Sequence, residues 1–403
     1  MSHRIIFWIF VARVFLFMPF VTVAGCIPLL IEEWGIGAAK VGVIATGFFF
    51  SYAVSLLGFS WLGDYIGAKR SVLISAWTTA AACAAFAFFA DDFLSSLIFY
   101  SLVGLFQGGV YTPLIVLFRE NTPRERLGTS IGWLIASTSI GYAASIGATG
   151  VAIGLSGWRL AFMVTGLLPV VGTLVLVAAI SSLANIVHPR RPESGVWREL
   201  RRNHNARQLL AGYTAHNWEL IGMWTWAPAF IAASFVLTGA TTAVATQWSA
   251  YFVTVLYLGG AFAAYAMGRL SDRLGRRTIL IWVAAIAAGF SFGVGWFVTV
   301  SPYLVAALVI LYSFFAIGDS PVLSTAIAES IEPSCLGAML AVRSLIGFVS
   351  AGIAPVVAGS VIDSLRAAQA SDTLVWGSAF ATLGLGGVLA VYFARRLHDD
   401  RPF

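Results

Sequence analysis

The stretch GRLSDRLGRRT, residues 268–278, has a counterpart earlier in the chain in SWLGDYIGAKR, residues 60–70. A second pair of segments aligns in the same way, RENTPRERLG at 119–128 with AESIEPSCLG at 328–337, and the separation along the chain is nearly the same. Two pairs of motifs at one separation indicate an internal duplication. The sequence therefore predicts two related halves.

The composition indicates a membrane protein. Of the 403 residues, 59% are hydrophobic and only 10% are charged, whereas a soluble globular chain is typically about 25% charged. Apolar runs near the roughly 20 residues needed to cross a bilayer recur from end to end, so we predict an all-α integral membrane protein. The twelve predicted spans are 5–31, 40–62, 71–90, 93–118, 127–154, 159–183, 208–235, 243–268, 278–298, 303–327, 335–363 and 374–394.

The longest polar interruption, residues 184–207, separates two predicted six-helix bundles, 1–183 and 208–403. Lys and Arg mark the cytoplasmic side of a membrane protein, and they concentrate in the loops on the side of the N-terminus. Those loops hold Arg4, Lys69, Arg70, Arg119, Arg124, Arg126, Arg395, Arg396, Arg401, six arginines within 190–207 and four within 269–277, against Lys40, Arg159 and Arg366 on the other side. We therefore predict that both termini are cytoplasmic. The net charge of +6 then faces anionic lipid and implies no nucleic-acid partner.

The first apolar run is predicted to be a helix of the mature protein. VAGC at 23–26 is similar to a lipoprotein cleavage site, but Arg13 lies inside the apolar run, and the core of a signal peptide normally carries no charge. The cysteines Cys26, Cys83 and Cys335 fall in or at the ends of spans, where they indicate buried thiols and no disulfide framework.

The stretch at 268–278 resembles the loop signature G-x-x-x-D-R-x-G-R-R of the major facilitator superfamily, and GWRLAF at 157–162 resembles the usual start of that family's sixth helix. The resemblance implies a secondary transporter with two pseudo-symmetric six-helix bundles. It also implies gating roles for a set of loop residues, whose contacts in the family hold one side of the transporter closed. The set is Asp64, Gly67, Asp272, Gly275, Arg276 and Arg277. The alternative is that each loop is simply basic, with an incidental aspartate.

The family signature is incomplete elsewhere. In the earlier loop, Ser60, Tyr65 and Ala68 replace a glycine and two arginines, and in the fourth helix Gly104 stands where an arginine is usual. The fifth helix lacks the Gly-Pro pair of drug antiporters. These departures argue against a drug exporter without excluding one.

Five ionisable residues fall within the predicted spans: Arg13, His216, Glu219, Asp319 and Arg343. Charges inside a bilayer are costly and usually functional. Each of the five lies roughly 12 Å or a little more from the cytoplasmic end of its span, at 1.5 Å per residue, and Gln107 and Tyr111 bracket the same level. In the family, helices 1, 4, 7 and 10 line the central cavity, so we predict that these side chains bind substrate or protons. Arg343, on helix 11, has packing or gating as an equal alternative.

Helix 7 carries the most concentrated polar sequence, AHNWELIGMWTW at 215–226. The spacing places His216, Glu219, Met223 and Trp226 on one face, and we assign Trp226 to the site and Trp218 and Trp224 to packing. On helix 10, Asp319 precedes a proline that frees a backbone carbonyl. A salt bridge from Asp319 to Arg13 that merely neutralises both is the alternative to a binding role.

We expect a proton-coupled symporter of a small organic or inorganic anion, with Arg13 and Arg343 attracting the anion and an acid or His216 carrying the proton. The alternative is a proton-coupled antiporter that exports amphiphilic or cationic compounds, and a sensor on the same fold that does not transport is a third possibility. The sequence shows no phosphate-binding loop, metal-ligand spacing, nucleophile motif or continuous polar pore. We therefore expect no enzyme, no channel, no metal and no cofactor, and a monomer in the bacterial inner membrane.

Overall fold

The computed structural model describes residues 1–187, 195–331 and 336–398, and this part of the chain contains helices and no strands. The helices are α1 (His3–Leu16), α2 (Thr22–Trp34), α3 (Ala38–Ile66), α4 (Ala68–Phe89), α5 (Phe93–Gln107), α6 (Thr112–Asn121), α7 (Arg124–Ser156), α8 (Trp158–Ile180), α9 (Val196–Arg202), α10 (His204–Val236), α11 (Thr242–Leu274), α12 (Arg276–Val294), α13 (Pro302–Ser330), α14 (Leu336–Ala367) and α15 (Asp372–Arg395).

These helices form 12 segments long and apolar enough to cross a membrane. Each predicted span overlaps one of them, so the prediction of twelve transmembrane helices is confirmed. The first segment consists of α1 and α2 together, and the fourth consists of α5 and α6. The short helix α9 lies within the predicted linker 184–207, part of which falls outside the described residues.

The chain folds into two compact units. The first contains Met1–Ile36, Thr241–Leu258 and the described residues between Val43 and Arg190. The second contains Gly37–Gly42, the described residues between Arg191 and Ala240, and the described residues from Gly259 onward. The start of α3 thus belongs to the second unit and the start of α11 to the first, whereas the sequence predicts a division at the linker.

The first and fourth segments are each interrupted near their middle by a short 3₁₀ turn. Pro19 stands at the first break and Gly108-Gly109 at the second, residues that do not continue an α-helix well. Side chains of neighbouring helices satisfy the carbonyls that the first break frees. Tyr100 donates to the Phe20 carbonyl at 2.7 Å, and Ser145 donates to the Met18 carbonyl. Neighbouring helices thus supply donors to carbonyls that the break exposes, which allows a broken helix to lie at membrane depth.

The two repeated loops turn in the same way. Gly67, before α4, has φ 90° and ψ 151°, and Gly275, before α12, has φ 88° and ψ 145°. Only glycine adopts this region without strain. The pairing of these two glycines in the sequence is thus matched by one backbone conformation.

Two further features of the fold concern helix ends and cysteines. In the second unit, the Asp363 carboxylate of α14 accepts hydrogen bonds from the backbone N–H groups of Ala38 and Ala39, each at 2.8 Å. These bonds cap the N-terminus of α3, where a negative charge is favourable. Cys26 and Cys83 are free and buried, and Cys335 lies outside the described residues.

Candidate functional site

Arg13 is a fully buried cation in the first unit, with 0% of its surface exposed. Its guanidinium donates to the Thr138 hydroxyl of α7 at 3.0 Å and to the Leu134 carbonyl of the same helix. No carboxylate among the described residues of its unit forms an ion pair with it, and its Nε has no hydrogen-bond acceptor there. The charge is therefore held by neutral partners alone.

Two other predicted residues lie near Arg13, at the breaks of the first and fourth segments. The Gln107 amide donates to the Leu16 carbonyl, at the end of α1, at 2.7 Å, so it ties the two breaks together. Its buried Oε1 has no donor among the described residues. The Tyr111 ring centroid lies 5.5 Å from the Arg13 guanidinium carbon, and that of Phe17 lies 4.8 Å from it. Aromatic faces stabilise a cation at such distances.

His216 and Asp319 meet in the interior of the second unit, where α10 packs against α13. The His216 Nδ1 lies 2.7 Å from the Asp319 Oδ1, and both residues are almost fully buried. The two atoms are close but not aligned as a hydrogen bond, which leaves that oxygen without a donor. The other ring nitrogen, Nε2, lies 2.7 Å from the Ser320 hydroxyl. The structure therefore brings a buried imidazole next to a buried carboxylate.

Glu219 lies in a second hydrogen-bonded chain of the same unit. The Tyr312 hydroxyl is 3.1 Å from the Glu219 Oε1 and 2.9 Å from the Ser291 hydroxyl. Ser291 in turn donates to the Phe380 carbonyl of α15 at 2.9 Å. Glu219, Tyr312 and Ser291 are all buried, so the chain runs through the interior of the unit.

The number of hydrogens in this chain favours a proton on Glu219. A protonated Glu219 can donate to Tyr312, Tyr312 to Ser291, and Ser291 to the Phe380 carbonyl, so that each contact has its own hydrogen. If Glu219 is ionised, Tyr312 must donate to it. Ser291 then has one hydrogen for two acceptors, and one contact is left without a donor. Loss of the proton from Glu219 therefore rearranges or weakens the chain.

The face of α10 that carries the four residues points into its own unit. His216, Glu219, Met223 and Trp226 are each at most 4% exposed. Trp226 extends away from the acidic groups, since its indole donates to the Pro355 carbonyl of α14 at 3.1 Å and its ring lies 6.4 Å from that of Trp376.

The other two tryptophans of the stretch are also hydrogen-bonded. Trp218 donates to the Thr382 carbonyl at 3.0 Å, and Trp224 donates to the Ser313 hydroxyl at 3.3 Å. The ionisable side chains in and beside this stretch are thus His216, Glu219 and Asp319. The three indoles join α10 to α13, α14 and α15.

Arg343 joins three helices of the second unit. Its guanidinium donates to the Ser324 hydroxyl of α13 at 3.0 Å, and its carbon lies 4.2 Å from the Tyr213 ring of α10. The side chain is partly exposed. These contacts are compatible with packing and with ligand binding alike.

The loop before α12 carries a dense ionic network. Arg276 donates two hydrogen bonds to the Glu329 carboxylate, at 2.9 and 3.2 Å, and one to Asp272 at 2.5 Å. Glu329 lies at the end of α13, so Arg276 fastens this loop to a second helix. Arg277 donates to the Arg395 carbonyl at the end of α15, at 3.0 Å.

The earlier loop makes the corresponding contact with a different residue. Lys69, two positions after Gly67 as Arg277 is two after Gly275, donates to the Ser181 and Leu183 carbonyls at 2.8 and 2.6 Å. These carbonyls follow α8, the last span of the first half, as Arg395 ends the last span of the second. Asp64 is exposed. Both loops therefore have a basic residue that binds the C-terminal end of a span. The earlier loop has no counterpart of Arg276, the residue that binds Asp272, because Ala68 stands at that position.

Sequence reasoning missed several residues of these networks. Tyr312 lies seven residues before Asp319 on one helix, a spacing that places both on one face and could have identified it. Ser320 adjoins Asp319. Ser291 and Thr138 lie on other helices and carry no such signal.

Among the residues that the structure describes, no group of three or more His, Cys, Asp or Glu side chains could hold a metal ion. The two buried acids of the second unit, Asp319 and Glu219, are each paired with a ring nitrogen or a hydroxyl.

A sequence model of the Major Facilitator Superfamily matches residues 9–318 and 242–403. The chain is 25% identical over 397 residues to a probable hexose phosphate transport protein from Chlamydia pneumoniae, covering 89% of this chain and 85% of that protein. It is 22% identical over 410 residues to a probable sulfoacetate transporter from Cupriavidus necator, covering 95% and 91%. Its fold is similar to the crystal structure of a bacterial homolog of the human lysosomal transporter Spinster, with a TM-score of 0.75 at 14% identity over 98% of this chain and 96% of that one.

Proposed function

Because the chain belongs to the major facilitator superfamily, we propose that it is a secondary transporter that takes up a small organic or inorganic anion together with protons. It would work as a monomer in a bacterial inner membrane, by alternating access. In this transporter, Arg13 of the first unit would bind the anion, and Asp319 or Glu219 of the second unit would bind the proton.

Arg13 is the observation that carries the anion proposal. A buried charge without a countercharge is costly, and a guanidinium is well suited to carboxylate, sulfonate or phosphate oxygens. An anion that accepts hydrogen bonds from Arg13 would supply the missing negative charge, and Tyr111 would offer an aromatic surface beside it. Hexose phosphates and sulfoacetate, named for two similar proteins, are anions of this kind.

The proton proposal depends on two buried acids that each have a partner able to share a hydrogen. Asp319 lies beside His216, and Glu219 lies beside Tyr312. In this proposal, each acid exchanges its proton when a change of conformation alters its hydrogen-bond partners. A transporter that alternates between two conformations can use that change to couple protons to solute.

The first test is uptake into proteoliposomes with an imposed pH gradient, acid outside, using sulfoacetate, glucose 6-phosphate and the neutral solute uridine. We expect the wild-type protein to accumulate at least one anion and to exclude uridine. Arg13→Gln should weaken that uptake roughly 10- to 150-fold, the equivalent of one charge-assisted hydrogen bond of ~1.5–3 kcal/mol. Arg13→Lys, which keeps the charge without the planar fork, should retain part of it.

Unchanged anion uptake by Arg13→Gln, or uptake of uridine alone, would contradict the anion site. The direction of coupling is read from a pH-sensitive dye inside the vesicles. Protons that enter with the anion support symport, and protons that move against the solute would indicate the antiporter instead.

A further inference from the structure

The second unit contains a narrow pocket among four of its helices. Its walls come from α10, α12, α13 and α15, together with one residue beyond α15. The lining residues are Gln208, Leu209, Gly212, Leu280, Ala284, Asp319, Leu323, Ala390, Ala394 and Leu397. Glycine and alanine supply much of the wall, so the space exists because small side chains face one another there.

Only two lining side chains are polar, Gln208 and Asp319. The Gln208 Oε1 is buried and has no hydrogen-bond partner among the described residues, and the Asp319 Oδ1 lies 2.7 Å from the His216 Nδ1 without an aligned hydrogen bond. An unpaired buried oxygen costs about 1–3 kcal/mol, and ordered water is the usual partner of such atoms. The pocket has room for about one water molecule in this structure.

The pocket leads from the end of the bundle toward its interior. Gln208 lies in the first turns of α10, which begins at His204, and Leu397 lies just beyond the end of α15. Asp319 lies roughly 16 Å from the end of α13 at Ser330, at 1.5 Å per residue. All three helix ends are on the side that the positive-inside rule predicts to be cytoplasmic.

We propose that this pocket is the water-filled route by which protons pass between the cytoplasmic end of the second unit and Asp319. The inference rests on the proton coupling proposed above and deepens it by assigning a route. A hydronium ion at the Gln208 end gives a proton through the bound water to the Asp319 carboxylate, which becomes a carboxylic acid while the hydronium becomes water; release is the reverse. Gln208 orients the water through its amide oxygen and does not itself take the proton.

Among the described residues, few ionisable groups lie beside Asp319, whereas His204, Arg207, Arg396 and His398 lie at the Gln208 end of the route. His216 approaches Asp319 from α10, and Glu219 of the same helix interacts with it electrostatically. Tyr312 lies beyond Glu219 on α13, and the pocket walls from α12 and α15 are apolar. Among the described residues, the ionisable groups next to Asp319 and Glu219 therefore belong to α10 and α13.

The test fills the pocket and compares two kinds of transport by the same protein. Ala284→Leu places a larger side chain in the pocket, and Ala285→Leu adds the same bulk on the exposed side of the same helix. The probe is whichever of sulfoacetate and glucose 6-phosphate the wild-type protein accumulates. We expect Ala284→Leu to lose accumulation driven by the pH gradient and to retain exchange of labelled for unlabelled probe at equal pH, which requires no net proton release. Ala285→Leu should retain both.

Gln208 provides an independent variant at the mouth of the route. Gln208→Leu removes the oxygen that holds the water and should slow gradient-driven accumulation, whereas Gln208→Glu keeps an acceptor and should preserve it. Gradient-driven accumulation at the wild-type level in both Ala284→Leu and Gln208→Leu would overturn the route while leaving proton coupling intact. A wild-type protein that accumulates neither anion would overturn the coupling itself, and the route with it.

Discussion

At the scale of single residues, the buried polar groups of α10 differ in what they can exchange. Glu219 has a hydrogen-bonded chain that is complete when the carboxyl group is protonated. The Trp226 indole donates its one hydrogen to the Pro355 carbonyl, so this contact does not depend on whether a nearby acid is protonated. The position of a residue on a helix face therefore does not determine which partners its side chain meets.

Glu219→Gln tests this distinction. Glutamine imitates the protonated acid and cannot release a proton, so we expect the variant to lose accumulation driven by a pH gradient while exchange at equal pH stays measurable. Glu32→Gln is the control, because Glu32 is an exposed carboxylate and its neutralisation should change neither activity. Wild-type pH dependence in Glu219→Gln would remove Glu219 from the coupling and leave Asp319 and His216 as the candidates.

At the scale of elements, the duplication is visible in the contacts of the two loops as well as in their sequences. Gly67 and Gly275 turn with nearly identical dihedral angles, and the basic residue two positions later binds the end of the last span in each half. The copies differ at Ala68 and Arg276, since only the arginine binds Asp272 and Glu329. The second loop is therefore joined to the end of α13 by an ion pair that the first loop does not have.

Gly275→Ala should destabilise the protein by about 1–3 kcal/mol, because alanine is strained at φ 88° and ψ 145°. No neighbouring atom blocks the added methyl group, so the backbone alone accounts for the expected loss. Gly289→Ala, an exposed site within α12 with equally open surroundings, should instead be stabilising by about 0.5–1 kcal/mol. Thermal unfolding in detergent would measure both, and an unchanged midpoint for Gly275→Ala would show that the turn relaxes without cost.

At the scale of the whole molecule, orientation in the membrane remains a prediction from the distribution of Lys and Arg. Thr241, between α10 and α11, is predicted to face outward, and Arg198 of α9 to face the cytoplasm. In a Cys335→Ser background, a membrane-impermeant maleimide should label Thr241→Cys in intact cells, and Arg198→Cys only after the membrane is permeabilised. The reverse pattern would contradict cytoplasmic termini and place the proton route on the outer side.

Membrane insertion, the twelve spans and the two-fold repeat follow from the sequence alone, because hydropathy and repeated motifs are local properties that can be recognised without knowing how the helices pack. The breaks at Pro19 and at Gly108-Gly109 were not predicted, since proline and glycine are common in unbroken transmembrane helices too. The predicted division at residues 184–207 stays a prediction.

The partners of the polar residues were decided by the tertiary structure. Sequence spacing grouped His216, Glu219 and Trp226 on one face and left Arg13 as a possible partner of Asp319. Packing brings Asp319 to His216 and Glu219 to Tyr312, and it directs Trp226 to α14. The physical reason is that a helical pattern determines which residues share a face, whereas the rotation and neighbours of that helix determine what the face meets.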